Sequence, residues 1–177
     1  MTATYGMFDH ARLPELMRWF PDPASCSVWG GAHFRWPCTE ATFQTDARIG
    51  VLPSRMLLAD EDGTLLAFGQ YYRRVGRCHL GHLAVRPETR RQGAGTRLVC
   101  ELCAEGARAL DVAEFSLFVL VRNAPAERLY RRLGFEEACY PDALPVSEPL
   151  RYMVAAGAAA QALRGARVSG GKAPNCE

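Results

Sequence analysis

Leu83-Ala84-Val85-Arg86-Pro87-Glu88-Thr89-Arg90-Arg91-Gln92-Gly93-Ala94-Gly95-Thr96 joins two different periodicities. Upstream, Cys78 to Val85 reads as a strand that Pro87 breaks. Downstream, Leu98, Val99, Leu102, Cys103 and Leu110 recur at helical spacing, which predicts a helix from Ala94 to Leu110. A glycine-containing turn between a strand and a helix binds anions. The amides from Arg91 to Thr96 are helix-terminal donors without partners, and the helix dipole adds partial positive charge at the same point. Glycine at 93 and 95 lets the backbone close on a pyrophosphate. The segment is neither a dinucleotide G-x-G-x-x-G nor a Walker sequence, because no third glycine and no Lys-Ser/Thr pair follow. Read alone, G-x-G also describes a plain tight turn.

Working outward, Phe115 to Val121 is an almost continuous apolar run of strand length, the mark of a strand covered on both faces at the sheet centre. Asn123 and Pro125 open a further helix, since Asn caps well and a first turn tolerates Pro, and Gly134 stops it. Phe135 to Tyr140 and Leu150 to Ala155 read as closing strands. At the other end, Thr4 to Phe8 reads as a strand. Asp9 then caps a helix that buries Leu13, Leu16, Met17 and Phe20 and ends at Pro21 and Pro23. Cys26 to Pro37 shows no clean period and reads as an aromatic-rich loop, after which Thr39 caps a short helix. Met56 to Ala59 and Leu65 to Tyr72 flank Asp60-Glu61-Asp62-Gly63, which predicts an antiparallel hairpin, and the chain turns again at Val75-Gly76. Residues 1–155 are expected to form one α/β domain. Residues 156–177, rich in Ala and Gly, are expected to be a flexible C-terminal tail, helical near Ala158 to Arg164.

Composition narrows the class. A chain of 177 residues with 49% hydrophobic and 23% charged content matches a single soluble globular domain, which excludes intrinsic disorder. Its 21 basic and 19 acidic residues leave a formal charge of +2, too balanced for a nucleic-acid or anionic-membrane partner. No run of 18 apolar residues and no signal-peptide pattern occurs, and the seven cysteines, odd in number, read as reduced thiols. A cytoplasmic protein without nucleic-acid or membrane partners is expected.

After the apolar run comes Asn123-Ala124-Pro125-Ala126-Glu127-Arg128-Leu129-Tyr130-Arg131-Arg132-Leu133-Gly134-Phe135. The order V-x-P, R-x-x-G-x-G, then N-x-x-A-x-x-L-Y-x-x-x-G-F resembles the GNAT superfamily of N-acetyltransferases. The resemblance covers Cys78 to Phe135, while upstream only the order of elements matches. It implies a mixed, mostly antiparallel sheet with a central, splayed parallel strand pair flanked by helices. It also implies acetyl-CoA as cosubstrate, no metal, and an acyltransferase activity toward an amine acceptor. The backbone of Leu83, Ala84 and Val85 would pair with the pantetheine arm, and the pyrophosphate would rest on Arg90, Arg91, Gln92, Gly93, Ala94, Gly95 and Thr96. Asn123 and Ala126 would lie at the pantetheine end, with Asn123 serving as helix cap as well. Tyr130, two helical turns after Asn123, would give a proton to the departing CoA thiolate. His79 matches the position where several family members carry a base, and is read as base, water relay or structural histidine. Strand alternation sends His82 to the other side of the sheet.

Bacterial N-terminal acetyltransferases of ribosomal proteins often carry Glu where this chain has Phe118. That departure favours a primary amine of a small molecule as acceptor, and the lack of a cysteine in the CoA-facing motifs favours direct acetyl transfer in a ternary complex. The alternatives are a protein N-terminal or lysine acetyltransferase, and a non-catalytic acyl-CoA-binding sensor. Many relatives form dimers, so a homodimer is compatible with the resemblance. Cys100-x-x-Cys103 lies mid-helix without a partner pair and reads as core thiols. Arg128, Arg131 and Arg132 read as a solvated helix face or as a contact for the CoA adenosine phosphate. Trp29, Phe34, Trp36 and Tyr71 line an acceptor pocket or form ordinary core.

Overall fold

The computed structural model describes residues 2–31, 33–142 and 149–166. A strand β1 (Ala3–Met7) leads through a 3-10 turn capped by Asp9 into a short helix α1 (Leu13–Met17). The expected aromatic loop is instead a helix, α2 (Pro23–Gly30). Pro23 does not stop a helix but starts one. It occupies the first turn, where a missing N–H costs nothing, and Asp22 and Ser25 cap each other reciprocally, with Ser25 N–H donating to Asp22 Oδ1 at 2.8 Å. Thr39 caps α3 (Glu40–Asp46) as expected. The hairpin follows as β2 (Ser54–Ala59) and β3 (Leu65–Arg74), and Val75 and Gly76, both at positive φ, turn the chain into β4 (Arg77–Val85).

Helix α4 spans Ala94–Leu110, followed by β5 (Phe115–Leu120), α5 (Ala124–Arg132) and a two-residue β6 (Glu136–Glu137). The closing strand read from Phe135 to Tyr140 is thus much shorter. The chain ends its described part with β7 (Leu150–Ala155) and α6 (Gly157–Gly165). The seven strands form one sheet in the order β1-β2-β3-β4-β5-β7-β6, antiparallel except for the β4–β5 pair.

Helix α6 corrects the boundary drawn at residue 155. Its Ala160 and Leu163 are buried in the cluster that α4 shares with the sheet, because the small residues Ala159 and Ala160 let the helix lie close. Gly134 faces it with the same economy: a Cβ there would stand 2.5 Å from Ala159 Cβ. The expected tail is therefore ordered fold through Ala166, and residues 167–177 lie outside the described residues.

Each face of the sheet carries its own core. On one side α4, α5 and α6 cover Leu80, Leu98, Leu102, Phe115, Leu117 and Met153. On the other, α1, α2 and α3 bury Leu16, Phe43, Phe68 and Ile49, with Trp29 stacked on Phe20 and Phe43 at ring separations of 4.4 and 5.2 Å. Tyr71 faces α4, where its hydroxyl donates to Glu105 at 3.0 Å. Tyr5 and Arg55 complete that carboxylate's shell, so Tyr71 belongs to the core reading. Glu15 on α1 accepts from Arg86 Nη1 at 2.9 Å and from Arg12 Nη1 at 3.1 Å, tying α1 to the segment after β4.

Leu163→Ala tests the corrected boundary. A buried leucine truncated to alanine costs about 2–4 kcal/mol. Urea unfolding should show that loss, whereas a loose tail would leave the midpoint where it was.

Candidate active site

The parallel register between β4 and β5 is short: Cys78 pairs with Phe115, His79 with Ser116 and Leu80 with Leu117. Beyond Leu80 the strands part. Residues 81–85 of β4 keep only their β3 partners, and residues 118–120 of β5 keep only β7. The cause is legible in the ladder. Phe68 pairs with Ala84 and Gln70 with Gly81, so Gly69 alone stands opposite both His82 and Leu83. This is a β-bulge, which bends the bulged strand. His82 takes the left-handed conformation at φ 49°. Gly69 is required opposite it, because a Cβ there would lie 2.8 Å from both Leu83 and Leu102.

The bulge overturns the alternation argument for His82. Cys78, Leu80, Leu83 and Val85 pack on the α4 side. His79 faces the other side against Tyr72, and the extra residue at the bulge puts His82 on that side too, 5.1 Å from the Trp29 ring. Gln70 holds it there. Gln70 Nε2 donates to the Ala47 carbonyl at 3.0 Å, which fixes the amide, so Oε1 accepts from His82 Nδ1 at 2.6 Å. Nε2 of His82 is thereby left as the basic nitrogen. The wholly buried Gln70, in the otherwise apolar run Leu65 to Tyr72, is the one sequence signal for this arrangement.

His79 is buried, 2% exposed, and its Nδ1 lies 2.9 Å from Ser116 Oγ, itself fully buried. Burial, aided by the charge of Arg74, pushes its pKa down to about 3. Burial, with smaller contributions from His33 and Arg48, pushes that of His82 down to about 4. Both rings are neutral at pH 7.

Past the parting strands, Gly93 at φ 90° opens α4, with no side chain capping the helix and no acid in its first turn. The amides of Ala94, Gly95 and Thr96 therefore remain available, and Arg97 N–H begins the helical ladder on the Gly93 carbonyl. Arg97, which sequence periodicity does not single out, lies one turn into α4; its buried Nε makes no hydrogen bond among the described residues and stands 4.0 Å from Glu101 Oε1. Open amides at a helix N-terminus, with the Arg97 guanidinium one turn on, fit a pyrophosphate. Leu83 and Val85 are half-buried beside this turn, and Ala84 is buried on the far face. Arg90 and Arg91 are exposed, and Arg90 Nε donates to the Val85 carbonyl at 3.3 Å.

From the other side, Asn123 caps α5 by accepting from Ala126 N–H at 3.4 Å. Tyr130 follows on the buried face, 7% exposed and in edge contact with Phe135 at 6.1 Å. Its hydroxyl makes no hydrogen bond among the described residues, and burial raises its pKa, so the phenol keeps its proton. Leu129 reaches Gly95, where an added Cβ would lie 3.2 Å from its Cδ2, so α5 and the start of α4 meet. Arg131 pairs with Glu127 at 2.8 Å, while Arg128 and Arg132 are exposed. Trp29 and Phe34 pack into the α1–α3 core and Trp36 is exposed. Cys100 and Cys103 are free thiols on α4. Among the described residues no group of three or more His, Cys, Asp and Glu is arranged to hold a metal ion. No helix among them is long and apolar enough to cross a membrane.

Residues 13–135 match the profile of the Acetyltransferase (GNAT) family. The chain belongs to this family of acetyltransferases. A mycothiol acetyltransferase of Clavibacter michiganensis is 39% identical over 88 residues. Those residues make up 49% of this chain and 28% of that protein, so the match spans less than a third of this curated relative. Among solved structures, the ribosomal-protein-S18-alanine N-acetyltransferase of Escherichia coli is 27% identical with a TM-score of 0.59, over 86% of this chain and 92% of that one. AAC(6')-Ib, solved with ribostamycin and coenzyme A, shares the fold at a TM-score of 0.71 and 19% identity, over 91% of this chain and 97% of that one. As a member of the GNAT family the chain has the expected α/β architecture, with the parallel pair β4–β5 inside a mixed sheet.

A histidine held neutral in the fold binds fewer protons than in the unfolded chain. Stability should therefore fall as pH drops from about 6.5 towards 4, by up to about 3 kcal/mol for His79. Urea titrations across this range should show a smaller loss for His79→Gln than for the parent.

Proposed function

We propose that the chain transfers the acetyl group of acetyl-CoA directly to a primary amine of a small molecule, in a ternary complex. The observation that carries this reading is the backbone of β4 from Leu83 to Val85, which has no β5 partner and of which the Val85 carbonyl alone is met by Arg90 Nε. It lies where β5 has parted from it and leads, through a 3-10 turn at Pro87–Thr89, to the N-terminus of α4, which no side chain caps among the described residues. An extended pantetheine arm has amide groups that satisfy such a strand edge, and its pyrophosphate would rest on the amides from Arg90 to Thr96 with Arg97 beside them. Asn123 and Ala126 would flank the arm from α5. Solved relatives with coenzyme A or acetyl-CoA bound support this cosubstrate.

In this reading the chemistry is divided among a few groups. A β4 amide polarises the thioester carbonyl where negative charge develops. The amine must attack as the free base, and deprotonating an alkylammonium at pH 7 costs roughly 4–5 kcal/mol of population. His79, set at the point where the strands part and too weak a base to keep the amine proton with its pKa pushed down to about 3, orients a water that carries that proton to solvent. Tyr130, protonated and without another partner, gives its proton to the leaving thiolate. No cysteine is needed as a nucleophile, and no acetylated enzyme forms.

A second reading, acetylation of a protein N-terminus, draws support from the likeness to the S18-alanine acetyltransferase. Release of CoA, followed by thiol detection over a panel of arylalkylamines, polyamines, aminoglycosides, amino acids and N-terminal peptides, separates the two. Small amines should be turned over faster than any peptide; peptide turnover above every small amine would establish the second reading. Tyr130→Phe should lower kcat about 100-fold or more with acetyl-CoA binding retained. Unchanged turnover in that variant would remove the phenol from the mechanism.

A further inference from the structure

One face of the sheet carries a second aromatic cluster that neither core includes. The cover of α1–α3 ends at Trp29 and His82. Next to it, on the same face, His79 touches Phe118 at a ring separation of 4.9 Å and Tyr72 at 5.2 Å. Phe118 in turn touches Tyr152 at 5.3 Å and Tyr140 at 5.1 Å. Phe118, Tyr72 and Tyr140 are only partly buried, so the patch faces outward beside the parting strands. The wholly buried Tyr152 Oη makes no well-formed hydrogen bond among the described residues, and the Arg77 guanidinium is the polar group beside it.

Arg74 lies across this patch. Its guanidinium stands 5.1 Å from the Phe118 ring centroid and 5.3 Å from that of Tyr140, and its Nε donates to Tyr140 Oη at 2.9 Å. Among the described residues no carboxylate pairs with it. Neighbouring cations do have carboxylate partners: Arg77 pairs with Glu114 at 2.8 Å and Arg151 with Glu137 at 2.7 Å. A half-buried, stacked guanidinium held by phenols alone is a preformed fork for a carboxylate, and the rings beneath it suit a flat apolar group.

We propose that this patch is the acceptor subsite, and that the acceptor is an amine bearing both an aromatic ring and a carboxylate. The ring lies on Phe118 and Tyr140, which Tyr152 supports from beneath, the carboxylate meets Arg74, and the amine points toward His79 at the parting of β4 and β5. This rests on the acetyl-transfer reading above and supplies the acceptor chemistry that reading leaves open. Phe118 then acts in recognition. Where a glutamate would repel a carboxylate, a phenyl ring supports one end of the ligand and the stacked arginine attracts the other.

The test uses matched acceptors that differ only in the carboxylate: tryptophan with tryptamine, and 4-(aminomethyl)benzoate with benzylamine. Each is titrated calorimetrically into the acetyl-CoA-saturated protein and assayed for CoA release. The carboxylated member of at least one pair should bind, and be acetylated with a kcat/KM higher, by about 10-fold or more, as a charge-assisted bidentate contact allows. In Arg74→Gln that advantage should collapse to near unity, with Arg74→Lys recovering part of it and a thermal melt showing both variants folded. Equal or better handling of the amines that lack the carboxylate, or an advantage that survives in Arg74→Gln, overturns the proposal while leaving acetyl transfer intact. Failure of every acceptor to release CoA, with calorimetric preference for the carboxylates still lost in Arg74→Gln, keeps the subsite and overturns the catalytic reading instead. Absence of any calorimetric or kinetic preference overturns the subsite.

Discussion

Backbone amides and carbonyls left unpaired inside a sheet are costly, and the architecture around β4 is organised by where that cost is accepted. β4 pairs with β3 along its length but releases β5 after Leu80. The bulge at His82 bends it away, and Gly69 gives up its side chain so that Leu83 and Leu102 can close beneath. The same departure that leaves a strand edge open lets β5 lead into Asn123 and α5, whose Leu129 and Tyr130 return toward β4 and the start of α4. Removing the bulge would restore the ladder and erase the gap. An open backbone, rather than a set of reactive side chains, is thus the primary feature of the site.

Two separate cores hold the gap open. The α4 side is stiffened by a partly buried carboxylate, Glu105, which receives Arg55, Tyr5 and Tyr71 and so fastens β1, β2 and β3 to one helix. Desolvation opposes its charge, but the three donors win and its pKa falls below the ordinary carboxylate value. On the opposite side the aromatic stack of Trp29, Phe20 and Phe43 anchors short helices that could not persist alone. Glu15 links that layer to Arg86, where β4 ends. The two layers therefore grip β4 from both faces at the place where it lacks β5.

Much of this is legible in the residues. The helix from Ala94 to Leu110, the hairpin around Asp60 to Gly63 and the Asn123 cap follow from periodicity and capping chemistry, which act over a few residues. What escapes is set at longer range. Pro23 reads equally as an ending or a beginning until Asp22 and Ser25 are seen to cap each other. The Ala-rich stretch after residue 155 lacks large apolar groups, yet smallness is what lets α6 lie against α4. A bulge is invisible to alternation, because it depends on Gly69 in the partner strand, and so alternation sends His82 to the wrong face. One arginine in a strand has no local signature either; only the fold brings Arg74 over Phe118 and Tyr140.

The bulge has a protective side as well. An exposed strand edge invites another chain to add to it, and long flat edges are the usual seeds of association. Here the open edge is confined to Leu83, Ala84 and Val85, bounded by a left-handed residue at His82 and by Pro87. A stretch of this length can satisfy a slender linear molecule with a few amides but cannot template a β-strand from a neighbouring copy. The interruption that creates the opening also keeps it too short to be a liability.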